Sequence, residues 1–242
     1  MSWFGVSSNR TRTSAGRFGS PQFAESALIR SMLLYCVRHG ESSYNAEGRI
    51  QGQANIPLSP LGRLQSQAAG RALAGLPIEA IYSSPLARAA ETAAAIAEVL
   101  KLPVTTVDDL KEIHAGIFQG LKWADIEALH PDLAQGWLHQ EPDFVIPGGE
   151  SRRALMERGR AALSAIRETG PRQVVVVSHG GLLSAAFKAL LEIPAERNPF
   201  SLYNCSINVL AWERQVKLMA LNRVDHLREV NGDRPLSSGD LQ

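Results

Sequence analysis

Two short segments carry the same chemical theme. Arg38-His39-Gly40-Glu41-Ser42 and Ser178-His179-Gly180-Gly181 each set a histidine against a glycine, and Ser83-Ser84-Pro85-Leu86-Ala87-Arg88 ends in a second arginine. Each follows directly on a short apolar run. If the three runs are neighbouring strands, two guanidiniums and two imidazoles line one pocket. The glycines after the histidines let a ligand come close to the backbone. Such a pocket is strongly positive and floored by backbone N–H groups at helix starts, which suits a phosphate dianion. Two histidines allow two roles. A neutral imidazole nitrogen attacks phosphorus well near neutral pH, and a cationic one beside the dianion stabilises charge in the transition state. A leaving alkoxide also needs a proton. Glu112, in Leu110-Lys111-Glu112-Ile113-His114-Ala115-Gly116, is the candidate acid, and a nearby dianion is expected to raise its pKa.

The elements that must position these residues follow from the pattern. Leu33–Val37 reads as a buried parallel strand, Ala80–Ser83 as a second, Val104–Val107 as a third, and Val174–Val177 as the clearest of all. Pro60–Leu73 reads as a helix with Ser59 as N-cap and proline in its first turn. Leu86–Leu100, Ser151–Thr169 and Gly181–Leu191 also read as helices, and 122–140 as short helices broken at Pro131 and Gly136. Ser206–Trp212 and Val216–Leu221 flank a tight turn at Glu213–Arg214 and suggest an antiparallel edge hairpin. Strands alternating with helices predict an α/β fold, a three-layer αβα sandwich on a mostly parallel sheet. In such sheets ligands bind beyond the carboxyl ends of the strands, where all three motifs fall.

Composition excludes more than it names. The 242 residues carry 25 basic and 24 acidic side chains, a balance that argues against coating nucleic acid or a membrane surface. No apolar run is long enough to span a bilayer, so a soluble chain is expected. Two cysteines, Cys36 and Cys205, cannot make a disulfide framework and suit a reducing compartment, the cytoplasm. Twenty of the 25 basic residues are arginine, which is either composition bias or guanidiniums set against phosphate. Residues 1–31 hold Arg10, Arg12, Arg17 and Arg30 against the single acid Glu25 and show no periodicity, so they are expected to be a disordered extension. Organelle targeting by this segment and a true start at Met32 are the other readings. Residues 229–242 read as a polar, frayed tail.

The ordered segments Arg38–Ser42 with Asn45, 49–62, 83–93, 110–116, 147–151 and 178–181 resemble the histidine phosphatase superfamily, the phosphoglycerate mutase-like family. The likeness covers about Leu33 to Leu227, and the expected histidine phosphatase domain spans 32–228. It implies a phosphohistidine mechanism with no metal and no cofactor. On that reading His39 is the nucleophile, and Arg38, Arg88 and His179 clamp the phosphoryl group. Asn45 hydrogen-bonds a phosphate oxygen, and Glu112 serves as acid and then as base toward water. Gln51, Gly52 and the backbone of Gly180 match positions that line the family's substrate site.

The remaining features read as structure. His130, His139 and His226 show no ligand spacing and neither HExxH nor CxxC occurs, so no metal site is expected. His114 reads as exposed or supporting, Gly148-Gly149 as a turn, Cys36 as a small core residue and Trp137 as packing; Trp123 stays open between packing and a pocket wall. Only 67 positions separate Glu112 from His179, and Lys122 is the one lysine or arginine in 122–147. That spacing resembles the short phosphatase branch, whereas the mutases carry a longer insertion that closes the site against water. The expected function is therefore hydrolysis of a small phosphomonoester, by a chain with no nucleic-acid or membrane partner and compatible with a homodimer. The alternatives are a 2,3-bisphosphoglycerate-dependent phosphoglycerate mutase, and a non-catalytic phospho-ligand-binding or interaction domain.

Overall fold

The computed structural model describes residues 31–232 together with residues 234 and 236; the expected extension at 1–31 lies almost wholly outside these residues. Six strands form one sheet: β1 (Met32–Arg38), β2 (Ala80–Ser83), β3 (Val104–Thr106), β4 (Gln173–Ser178), β5 (Ile207–Trp212) and β6 (Val216–Arg223). Their order is β3-β2-β4-β1-β5-β6, with β3, β2, β4 and β1 parallel and β5 and β6 antiparallel at the edge. The helices are α1 (Ser43–Glu47), α2 (Pro60–Leu73), α3 (Ala87–Leu100), α4 (Trp123–Leu129), α5 (Pro131–Leu138), α6 (Arg152–Glu168), α7 (Gly180–Leu190) and α8 (Arg228–Asn231).

The central strands are apolar on both faces because helices cover both. Tyr35, Val37, Val175 and Val177 face α2 and α3 and pack with Ala69, Leu73, Ala93 and Ile96. Leu34, Cys36, Val174 and Val176 face the other way, toward Leu155, Leu163, Leu182 and Phe187 of α6 and α7. Alternation along a strand thus splits one run, VVVV, between two cores. Each fully buried Leu, Val or Phe side chain contributes about 1.5–3 kcal/mol relative to exposure.

Caps fix where the helices begin. The Ser59 hydroxyl accepts from Gly62 N before α2, and that of Ser151 from Ala154 N before α6. Before α1, Ser42 and Asn45 form a reciprocal capping box, and Gly48 at φ 67° ends the helix in the left-handed region.

Two expected features differ. Gly136 does not break a helix: it lies inside α5, where the Phe144 ring packs so closely that an added Cβ would meet it at 2.3 Å. Glycine is there for the approach of a ring and not for a turn. The chain after Arg228 is not frayed at its start. It forms α8, packs against α2, and buries Asn231, whose Oδ1 accepts from Gln65 Nε2 at 3.0 Å.

The consequence for chemistry is positional. β2, β4 and β1 are adjacent and parallel, with Arg38 in register with Ser178 and Ser83 with Val177. Their carboxyl ends deliver Ser84, His179 and His39 to one place.

Candidate active site

His39 follows β1, and its backbone stays tied to the neighbouring strand through His39 N to Ser178 O at 2.9 Å. Its ring is fully buried, with Nδ1 2.7 Å from the Gly40 carbonyl oxygen. A carbonyl only accepts, so Nδ1 carries the proton and Nε2 presents its lone pair. Burial first, then the charges of Arg88 and Arg38, hold its pKa well below the ordinary 6.5. The ring is therefore neutral with Nε2 available, the state a nitrogen nucleophile needs.

Arg88 sits in the first turn of α3, fully buried. Its Nε donates to His39 Nε2 at 3.2 Å, its Nη1 to Ala54 O at 2.9 Å and its Nη2 to Gly52 O at 2.7 Å. Arg38, 0% exposed at the end of β1, donates from Nη1 to Leu202 O at 2.7 Å. Two guanidiniums beside Nε2 mark where the oxygens of a phosphoryl group would sit.

His179 is the N-cap residue of α7, and its ring centroid lies 5.2 Å from that of His39. Nε2 pairs with Ser84 Oγ at 2.8 Å, while Nδ1 is buried without a hydrogen-bond partner among the described residues. Burial, then Arg88, His39 and Arg38, keep its pKa well below 6.5. With cations on several sides and no dianion present, the ring is held toward its neutral form; the expected imidazolium is that of the phosphate-bound site.

Glu112 is 3% exposed and seated on the first turn of α7. Its carboxylate accepts from Gly181 N at 2.9 Å, Leu182 N at 2.8 Å and Ile113 N at 2.9 Å. These partners are all donors, so the seat accommodates a carboxylate beside a helix N-terminus. A protonated Glu112 can keep these bonds and still point its Oε2–H away from the α7 N-terminus toward a substrate oxygen. Gly181 makes the seat: a Cβ there would lie 2.6 Å from Glu112 Oε1.

The loop that carries Glu112 is pinned from α6. Arg158 donates to the carbonyls of Asp109 (2.8 Å), Lys111 (2.7 Å) and Glu112 (3.2 Å), and pairs with Glu150 at 2.5 Å. Glu150 in turn accepts from His114 N at 2.9 Å, and Gln53 Nε2 donates to Glu112 O at 3.0 Å. His114 is thus a supporting residue whose Nδ1 accepts from Gly116 N. Gly148-Gly149 forms a turn before α6.

The softer expectations fall around this centre in different ways. Asn45 Oδ1 is engaged in the α1 capping box, so its amide N–H groups are what it can offer a phosphate oxygen. Gln51 is buried and its Oε1 accepts from Ser42 Oγ at 2.7 Å. Gly52, at φ 52°, aims its carbonyl at Arg88. Gly180 is buried in the first turn of α7. Sequence reading missed Ser84 as the partner of His179, Arg158 and Glu150 as the brace of the acid loop, and the 202–205 segment. There Asn204 Nδ2 and Cys205 N both donate to the His39 carbonyl. Ser84 stood inside a quoted motif; Asn204 carried no local signal.

Among the described residues no group of three or more His, Cys, Asp or Glu is placed to hold a metal, and no helix is long and apolar enough to cross a membrane.

Comparison with known proteins bears on this geometry. A family model described as the histidine phosphatase superfamily (branch 1) matches residues 34–223. The chain is similar to a metal-independent phosphoserine phosphatase of Arabidopsis thaliana, 39% identical over 201 residues that are 80% of this chain and 82% of the relative. It is also similar to a Salmonella choleraesuis protein named "Probable phosphoglycerate mutase GpmB", 37% identical over 188 residues, 74% of this chain and 85% of the relative. Among solved structures, a mycobacterial glucosyl-3-phosphoglycerate phosphatase superposes with a TM-score of 0.73 at 34% identity, covering 80% of this chain and 99% of the other.

Proposed function

The chain belongs to the histidine phosphatase superfamily, and on that premise we propose that it hydrolyses phosphomonoesters of small metabolites through a phosphohistidine formed on His39. The observation that carries this reading is the burial of Arg38, His39, Arg88 and His179 at the ends of three adjacent strands, with Glu112 on the first turn of α7.

Neutral His39 Nε2 attacks phosphorus, forming the N–P bond as the ester P–O bond breaks. Arg38, Arg88 and His179 take the charge that builds on the phosphoryl oxygens, with Asn45 donating to one of them. Glu112 gives its proton to the leaving alkoxide. It then removes a proton from water, whose oxygen attacks the phosphohistidine, and inorganic phosphate leaves with His39 restored. Gln51, Gly52 and Gly180 shape the floor, Gly52 by holding Arg88.

The relatives named above act on phosphoserine and glucosyl-3-phosphoglycerate, compounds with a carboxylate near the phosphoester, so carboxylated phosphomonoesters head the substrate panel. Phosphate release from that panel, abolished in His39→Ala, is the expected result; no release from any member at any pH sinks the reading. The likeness to the Salmonella protein keeps a second reading open. A 2,3-bisphosphoglycerate-dependent interconversion of 2- and 3-phosphoglycerate faster than phosphate release would make this a mutase. The short span between Glu112 and His179 favours hydrolysis. Residence in the cytoplasm is part of the same proposal, supported by two buried, unpaired cysteines. Sedimentation at micromolar concentration tests for a homodimer.

A further inference from the structure

Behind the seat of Glu112 lies a second, smaller polar chamber. Gly181, Ser184, Ala185 and Lys188 of α7, Arg152 and Leu155 of α6, and Ile113, Trp137 and Asn198 enclose a cavity of about 30 Å³. Arg152 is 7% exposed and Lys188 4%. Among the described residues neither forms an ion pair. The Arg152 guanidinium stacks 3.6 Å over the Trp137 ring and donates from Nη2 to Trp137 O, but its Nη1 is buried with no partner among the described residues. Lys188 Nζ has only the carbonyl of Ala195, at 3.2 Å.

Two buried cations are an expensive arrangement when the acid that acts on Lys188, Glu196, lies exposed in solvent and none is buried with them. Burial holds Arg152 down to about 10; burial first, then the Arg152 charge, lowers Lys188, partly countered by Glu196. A ring face and two carbonyl dipoles offset part of this. The unpartnered N–H and the cavity are the remainder. A volume of about 30 Å³ accommodates one or two water-sized groups, the size of a single halide. The exposed Asn198 lies at the side of the chamber nearest solvent.

We infer that the chamber between α6 and α7 is a binding site for one small monovalent anion of the halide class, held by Arg152 Nη1 and Lys188 Nζ. The lining of the chamber includes none of the residues proposed to hold the phosphoryl group. The site stabilises the fold and takes no part in phosphate chemistry, so its failure would leave the phosphatase reading untouched.

Crystals soaked in sodium bromide test the inference, together with melting temperatures titrated with sodium chloride against sodium gluconate at constant ionic strength. The expected result is an anomalous bromide peak within about 3.5 Å of both groups. A chloride-specific rise in melting temperature of about 2–4 °C should accompany it and vanish in Lys188→Met, a change of similar volume. A bromide peak with no chloride-specific rise means an adventitious ion only and overturns the inference. So does a chamber that refines as water, or a rise that persists in Lys188→Met. If that variant does not fold, the wild-type peak and titration decide between these outcomes.

Discussion

His39 and His179 are buried imidazoles pressed by two guanidiniums, and this fixes how they respond to acid. Both sit well below the ordinary 6.5. The unfolded chain therefore binds protons below about pH 6.5 that the native state refuses, so stability falls as pH drops through that point. Each ring adds a slope of up to about 1.4 kcal/mol per pH unit down to its depressed native value. Denaturant melts at pH 7.5 and 5.5 should show the loss, and His179→Gln should remove one ring's share; an unchanged pH dependence in the variant would contradict this. Glu112 has a different signature. Glu112→Gln keeps the size but cannot donate the proton, so kcat toward alkyl phosphates should fall by about 10²–10⁴. With p-nitrophenyl phosphate, whose leaving group needs no proton, the loss should be far smaller. Equal losses on both substrates would remove Glu112 from the acid role.

At the level of elements, the acid is held by a strap between α6 and α7. Arg158 reaches the carbonyls of Asp109, Lys111 and Glu112 in the loop and is itself held by Glu150. Arg158→Met should let the loop drift, lowering kcat by about 10²-fold, with the same selectivity for poor leaving groups as Glu112→Gln. Lysine at 158 should rescue little, since one ammonium cannot serve a fork of three acceptors and a carboxylate. Gly181→Ala presses the same point from the other side, placing a methyl 2.6 Å from Glu112 Oε1. A loss that is uniform across leaving groups would instead indicate general loosening. The elements themselves were widely legible. Pro60–Leu73 and Ala80–Ser83 stand as the periodicity and caps predict, because Ser59, Pro60 and the short apolar run each act locally. Gly136 and Asn231 were not, because their roles depend on Phe144 and Gln65, which approach only once the chain is folded.

For the whole molecule, the two-sided sheet sets both stability and access. Leu163, wholly buried between sheet and helices, should cost about 2–5 kcal/mol as Leu163→Ala in a urea melt, with the site's leaving-group preference unchanged. Exhaustive dialysis against EDTA should leave phosphatase activity intact, because the charge on the phosphoryl oxygens is met by Arg38, Arg88 and His179; a loss restored by added metal would overturn that mechanism. The arginine excess divides in the same way. Arg38 and Arg88 were recognisable from their places at strand ends, but Arg152 and Arg158 look like ordinary helix-face residues until α6 is docked. The sequence by itself determined which residues end the strands, since local apolar runs and the glycines after the histidines are chain-neighbour effects. It did not determine the ionisation of His179, the seat of Glu112 on α7, the Asn204 contact to the His39 backbone, or the buried pair Arg152 and Lys188. Those join positions from 36 to 165 residues apart, and only packing brings such groups close enough, and far enough from water, for charge and hydrogen bonding to act between them.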